Sequence, residues 1–382
     1  MNKKADIVII GGGISGAAIA YNLAKKGMKN IIVVEKRFIA SGATGACGAG
    51  IRQQWGTEMN CKIAKMSCDF FETANDVLEY DGDIEFKQGG YLLLATSDKE
   101  KEQFRRNIAL QNSLGINSKE LTLEEAKEIV PILNTEGYVS AAYYDKDGHL
   151  NPFHATLAFA KAAEKLGVEF LKYTEVTDIV VEDGKVTCVV TDKGLIETNK
   201  VVNAAGGHSK EIANMVGLDL PVYSERHQIL VTEPIDPILS TMVMSFTGNF
   251  YCQQVPHGGL VMGRGDAGEP RDGNINSGWH FLDEMAKTIT TLLPPLKKAM
   301  VIRQWAGLYN LTPDRQPILG PVNEIEGFYL AVGFSGHGFM FGPATGILMA
   351  EMIMGEKTSI DISALNLYRF EKGELVFEPS VV

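Results

Sequence analysis

An α/β fold of two domains is what this sequence predicts, on three observations. A β-branched run, a glycine cluster, a helical stretch and a second β-branched run follow one another at the N-terminus. The strand-then-glycine pattern returns near residue 205 and again near residue 335. Between these lie alternating runs and amphipathic stretches of other kinds. A length of 382 residues with 45% hydrophobic content buries a large core, and two domains suit it better than one.

The first run, Asp6-Ile7-Val8-Ile9-Ile10, lacks polar alternation and reads as a strand buried on both faces. Gly11-Gly12-Gly13-Ile14-Ser15-Gly16 follows, a GxGxxG pattern at Gly11, Gly13 and Gly16. Gly11 permits the tight turn, Gly13 lets a pyrophosphate approach the backbone, and Gly16 lets helix pack close on strand. Ile14 and Ser15 then stand at a helix N-terminus, where unpaired N–H groups and the helix dipole favour phosphate. Residues 17–26 read as that helix, with Gly27 as its stop. Residues 31–34 form the next strand, ending at Glu35. A carboxylate roughly 20 residues past the last glycine accepts from ribose hydroxyls and repels a 2′-phosphate, which argues against NADP.

A loop of small residues comes next, Ser41-Gly42-Ala43-Thr44-Gly45-Ala46-Cys47-Gly48-Ala49-Gly50-Ile51-Arg52, able to lie against a flat, rigid ring. The amphipathic stretch 60–78 reads as a packed helix rather than a membrane surface. Residues 99–114 and 122–130 read as helices, the second opened by a capping box of Thr122 and Glu125. Strand-like runs occupy 90–95, 228–232 and 260–263. Val201-Val202-Asn203-Ala204-Ala205-Gly206-Gly207 repeats the strand-then-glycine pattern. Residues 329–332 do so once more, running into Gly333-Phe334-Ser335-Gly336-His337-Gly338-Phe339 and then a helix over about 342–354.

Charge and composition exclude several function classes. With 36 basic and 47 acidic residues the net charge is −11, which argues against nucleic acid or an anionic membrane as partner. The cysteines Cys47, Cys61, Cys68, Cys188 and Cys252 form no CxxC pair, so a disulfide framework is not expected and a reducing, cytoplasmic compartment is. With His149 and His154 read as capping or packed side chains, the remaining His and Cys show no metal-ligand spacing, so no metal site is expected. No apolar run approaches the roughly 18 residues of a transmembrane helix. Neither GxSxG nor GxxxxGK[ST] occurs.

At these residues the chain resembles the D-amino-acid-oxidase-like FAD flavoproteins. Within them it looks most like the β subunits of heteromeric sarcosine oxidases and L-proline dehydrogenases. The motifs are the N-terminal unit, Asp147-Gly148-His149-Leu150-Asn151-Pro152, Asn203-Ala204-Ala205-Gly206, Trp305-Ala306-Gly307 leading to Thr312-Pro313-Asp314, and the run from Gly333 to Gly338. The resemblance implies a Rossmann-type FAD-binding domain over 1–80, 145–220 and 320–382. It also implies an α+β substrate domain on a mixed or antiparallel sheet, over 81–144 and 221–319. It places Glu35 and Lys36 near the adenosine, and Ser41, Thr44, Gly45, Ala46 and Cys47 along pyrophosphate and flavin. The Val176 backbone falls at the adenine edge and Ala205-Gly206 near the adenosine half. Ser335, Gly336, His337, Gly338, Phe339 and Met340 fall at the pyrimidine side of the flavin.

Three positions depart from the monomeric sarcosine oxidases of this family. Gly307 stands where they tether FAD through cysteine, so the FAD is expected to be non-covalent. Met340 stands where a lysine helps hold the substrate carboxylate, which passes that role to Arg52. Val261 stands where a lysine supports reaction with oxygen, and its loss favours a dehydrogenase. Arg52, His337, Tyr251 and Tyr309 are the candidate catalytic residues, each with a plain alternative as a packed or hydrogen-bonded structural side chain. His149, His154 and His257 read as structural, and Cys47 as a packed small residue.

The function so implied is FAD-dependent oxidation of the C–N bond of a small amino acid, preferably a secondary amine such as L-proline or sarcosine. Hydride transfer to flavin N5 is expected, with electrons passed to a partner or acceptor rather than mainly to oxygen. Alternatives are a glycine or D-amino-acid oxidase or dehydrogenase, a 2-hydroxyacid or glycerol-3-phosphate dehydrogenase, and a largely structural FAD subunit of a complex. The resemblance also implies a larger α subunit in a hetero-oligomer. Some relatives carry FMN at that interface, although no motif in this sequence marks an FMN site.

Overall fold

The β-branched run Ile7–Ile10 forms a strand inside a six-stranded sheet. The computed structural model describes residues 2–379 except 267, 270 and 272. Ile31–Glu35 and then Glu169–Lys172 pair parallel on one side of this strand. Val201–Asn203 and then Phe328–Val332 pair parallel on the other, and Ile318–Pro321 closes that edge antiparallel. Side chains alternate between two separate cores. Ile7, Ile9, Ile31 and Val33 enter one, while Val8, Ile10, Ile32 and Val34 enter the other. Both faces are therefore covered, which is why these runs carry no polar alternation.

Helices cover the first face. Ile14–Lys25, Glu58–Val77, Pro152–Lys165 and Gly338–Ile353 all contribute to its core. The helix after GxGxxG begins at Ile14, three residues before the expected start, and Lys26 caps it ahead of Gly27 at φ 94°. It packs tightly on Gly338–Ile353. A Cβ at Gly342 would stand 2.5 Å from Ile14 Cγ1, and one at Gly346 2.6 Å from the Ala18 carbonyl carbon. That last helix starts at Gly338 rather than near 342 and carries Pro343 in its interior. Burial of Phe339, Phe341 and Ala344 outweighs the one hydrogen bond that proline forgoes. The second face is covered by a four-stranded sheet of Asn2–Lys4, Gly194–Glu197, Lys185–Thr191 and Val176–Glu182, and by helix Ser209–Asn214.

A mixed eight-stranded sheet forms the other half. Its order is Val301–Leu311, Tyr223–Thr232, Leu260–Arg264, Phe250–Gln254, Met242–Ser245, Tyr91–Ala95, Ser140–Tyr144 and Lys119–Leu121. Every pairing is antiparallel except Met242–Ser245 with Tyr91–Ala95. Helices Asp98–Ser113, Leu123–Ile129 and Trp279–Leu292 accompany it. Both halves of the Thr122–Glu125 capping box are present. Among the described residues no helix is long and apolar enough to cross a membrane.

Candidate active site

A cavity of about 380 Å³ opens where the parallel strands end. Ile10, Glu35, Ala204 and Phe334, at or just past the C-terminal ends of four strands, line it from the first sheet, and Ala306 to Asn310 from the second. The crevice outside the carboxyl ends of an open α/β sheet is where such folds bind ligands.

Most residues expected to hold a cofactor meet here. Gly11, Gly13, Ile14, Ser15, Glu35, Lys36, Ser41, Thr44, Ala46 and Cys47 line the cavity. So do Val176, Ala205, Gly206, Gly307, Ser335, Gly336, Gly338 and Phe339. Four others lie off its wall. Gly16 sits against the Gly11 carbonyl, where any Cβ would collide. Gly45 is in the same position against the Ala40 carbonyl and the Phe153 ring. Met340 packs on the helical core, and His337 is buried beside Trp55 and Phe341, with ring centroids 5.1 Å and 4.8 Å away.

The polar groups are already arranged. Glu35 Oε2 accepts from Gly12 N at 2.8 Å and Oε1 from Arg37 N at 2.8 Å, which fixes the carboxylate on the wall. Thr44 Oγ1 accepts from Ile14 N at 3.1 Å and so ties the small-residue loop to the helix N-terminus. Trp305 Nε1 donates to Ala46 O at 3.0 Å, and a Cβ at Gly307 would stand 2.8 Å from Ala46 Cβ. Cys47 Sγ donates to Thr44 O at 3.0 Å, and burial pushes its thiol up to about 12. A thiolate is therefore disfavoured.

These features fit FAD. Asn310 lines the cavity, and its buried Nδ2 has no hydrogen-bond partner although its Oδ1 accepts from Ser209 Oγ and Gly333 N. A ligand acceptor would satisfy that donor. Two helix N-termini without side-chain caps of their own, at Ile14 and Gly338, also reach the wall and favour negative charge there. Among the described residues no group of three His, Cys, Asp or Glu could hold a metal ion.

Of the four catalytic candidates, only Tyr309 lines this cavity. A Cβ at Gly336 would stand 2.6 Å from its ring, so glycine there, at φ 92°, makes room for it. Tyr251 rests against Gly48 and Gly263. Between the two tyrosines lies His227, which the sequence reading missed. Its ring stacks on Tyr309 at 4.3 Å and 7°, and on Tyr251 at 5.8 Å and 14°. His227 Nε2 and Tyr251 Oη are 3.2 Å apart. No local signal marked it: only strand register brings His227 opposite Gly307 of the family motif.

Burial brings His227 down to about 4. His337 falls to about 3, through burial and the nearby Arg52 charge. Burial also raises the phenols of Tyr251 and Tyr309 above their ordinary value. Arg52 is 5% exposed, with its guanidinium over the Trp55 ring at 4.0 Å and Phe246 at 5.1 Å. Its Nη1 donates to Gln54 O at 2.6 Å. Arg264 is turned to Glu284 and Thr288, and the cations lining the cavity, Lys36 and Arg37, belong to the Glu35 end.

The chain is similar to known proteins over nearly its whole length. The family model for FAD dependent oxidoreductases matches residues 6–352. The chain is 30% identical over 381 residues to the sarcosine oxidase subunit beta of Rhodobacter capsulatus, covering 98% of this chain and 91% of that one. It is 32% identical over 383 residues to the protein of that name from Arthrobacter sp, covering 98% and 93%. Its fold matches a crystal structure of L-proline dehydrogenase from P. horikoshii with a TM-score of 0.93 and 40% identity, covering 98% of this chain and 100% of that one.

Proposed function

The chain belongs to the family of FAD dependent oxidoreductases, and from that premise we propose that it oxidises the C–N bond of a small secondary amino acid such as L-proline or sarcosine. It is an FAD-dependent amino acid oxidase or dehydrogenase. The observation that carries the narrower reading is Tyr309 on the cavity wall, backed by the stacked rings of His227 and then Tyr251 behind it.

Burial holds His227 and His337 uncharged at neutral pH, so an amine approaches without cationic repulsion from either. Groups with so low an affinity for protons are poor general bases. The protein's task is then orientation: the tyrosines would flank the substrate and Arg52 would take its carboxylate. When bound, FAD supplies the acceptor for the electron pair. Gly11, Gly13 and Ser15 would hold its pyrophosphate, Glu35 its ribose, and Asn310 with Ser335, Gly336, Gly338 and Phe339 its ring. Gly307 and the buried, protonated Cys47 favour a non-covalent cofactor.

Val261 in place of a lysine favours electron transfer to a partner or acceptor over transfer to oxygen. The resemblance to β subunits favours a larger partner subunit. The cation-poor Tyr309 end speaks against a phosphate-ester substrate.

Anaerobic stopped-flow mixing of the FAD-loaded chain with L-proline, sarcosine, glycine and D-alanine tests this. Proline or sarcosine should bleach the flavin absorbance fastest, and a dye should reoxidise it faster than air. Bleaching by none of the four removes the amine reading. Reoxidation by air as fast as by dye removes the dehydrogenase part alone.

A further inference from the structure

Two buried carboxylates from distant parts of the chain converge on the segment that follows Arg52. Asp147 accepts from Gln53 N at 2.8 Å and from Gln54 Nε2 at 2.9 Å. Glu378, near the C-terminus, accepts from Gly56 N at 2.7 Å, Thr57 Oγ1 at 2.7 Å and Asn60 Nδ2 at 2.8 Å. Glu378 is 8% exposed, so these contacts are shielded from solvent. Gly56 leaves the room they require, since a Cβ there would meet both Pro379 and Glu378. The stretch before Glu378 is fastened separately: Val376 N donates to Asp314 Oδ2 at 3.2 Å.

Arg52 itself is held against Trp55, whose Nε1 donates back to Arg52 O at 2.8 Å. Trp55 O accepts from Gln111 Nε2 at 2.7 Å. The direction of the guanidinium thus depends on where residues 53–57 lie, and Glu378 fixes one end of that segment. Its charge also opposes the burial that weakens Arg52's hold on its proton.

We propose that Glu378 is a positioning residue for Arg52, and that the C-terminal segment 374–379 is a strap completing the carboxylate side of the substrate site. The proposal rests on Arg52 receiving the substrate carboxylate, as above. Loosening the strap lets the 53–57 segment move, so the guanidinium loses its alignment while the flavin and the aromatic wall keep theirs.

Discrimination between an amino acid and its amide tests this, because only the acid offers a carboxylate. Flavin reduction would be measured with L-proline against L-prolinamide and with sarcosine against sarcosinamide. The proteins would be the native chain, Arg52→Met, Glu378→Gln and Thr57→Val, with FAD content and Tm recorded for each. Glu378→Gln should raise KM for the acid on the order of tenfold with little change for the amide, and leave the maximal reduction rate within about threefold. Thr57→Val, which removes one donor and keeps the carboxylate, should move discrimination the same way by less. If Arg52→Met keeps discrimination intact, or no acid reduces the flavin, the substrate reading fails and the strap's role falls with it. If Arg52→Met abolishes discrimination while Glu378→Gln and Thr57→Val retain it, Arg52 stands and the positioning role is overturned. Equal losses for acid and amide in Glu378→Gln would show general destabilisation and also overturn it. Should Glu378→Gln fail to fold, Thr57→Val decides.

Discussion

Single residues here are tuned mainly by burial. His337 and His227 are neutral because the folded chain desolvates them, to about 3 and about 4. Unfolded, they titrate near 6.5, at about the usual value. Their folded pKa values are depressed, so the stability they confer is present above about pH 6.5 and is lost as pH falls toward 4. His337→Gln should flatten that acid-side loss in denaturant midpoints measured against pH. Asp147 runs the opposite way. Burial lifts its carboxyl to about 7 against the pull of Gln54, Gln53 and Arg52. Its stabilising share is full below about pH 4 and is lost as pH rises through 7, so Asp147→Asn should flatten the curve on that side. At the site, His227→Ala should lower kcat/KM with bound FAD retained, because two ring stacks of about 0.5–1.5 kcal/mol each disappear. Unchanged flavin-reduction kinetics would show that the stack behind Tyr309 has no part in the reaction.

Elements are placed by close contacts that tolerate no extra volume. The pair Ile14–Lys25 and Gly338–Ile353 meets through Gly342 and Gly346. Gly346→Val should destabilise by about 1–3 kcal/mol and weaken FAD, since moving either helix shifts an N-terminus on the cavity wall. Urea unfolding and FAD titration would measure both effects. The ion pair Arg369–Asp314 is nearly sealed from solvent, at 1% and 0% side-chain exposure. Asp314 binds it at two points, with Arg369 Nε 2.7 Å from Oδ2 and Nη2 3.0 Å from Oδ1. Removing one partner leaves a buried charge, so Arg369→Met should cost about 3–5 kcal/mol. Thr312-Pro313-Asp314, read in sequence only as a family mark, thus anchors the C-terminal segment.

At the scale of the molecule, one cavity joins the two sheets. It takes walls from the ends of one and the edge strand of the other, so FAD held there would bridge them. FAD at about 100 times its Kd should stabilise the fold by roughly 2.7 kcal/mol, and stripping it should lower Tm and make Tm depend on added FAD. A Tm indifferent to FAD would argue against this cavity as the site. The four inner strands of the parallel sheet were readable from their β-branched runs, and helix Leu123–Ile129 from its capping box, because these are local signals, whereas the four-stranded sheet was not read. The early start of Gly338–Ile353 was not, because Pro343 looks like a helix beginning until the burial around it is known.

The sequence alone determined the N-terminal part of the cavity wall. Its parts are short and contiguous: glycines where backbone must come close, a helix start behind them, and an acid at the end of the next strand. Tertiary structure decided what surrounds the reacting end. His227 meets Tyr309 and Tyr251 across three strands, and Asp147 and Glu378 reach the Arg52 segment from far along the chain. Such contacts depend on register and on the path of the tail, which no local pattern of residues records.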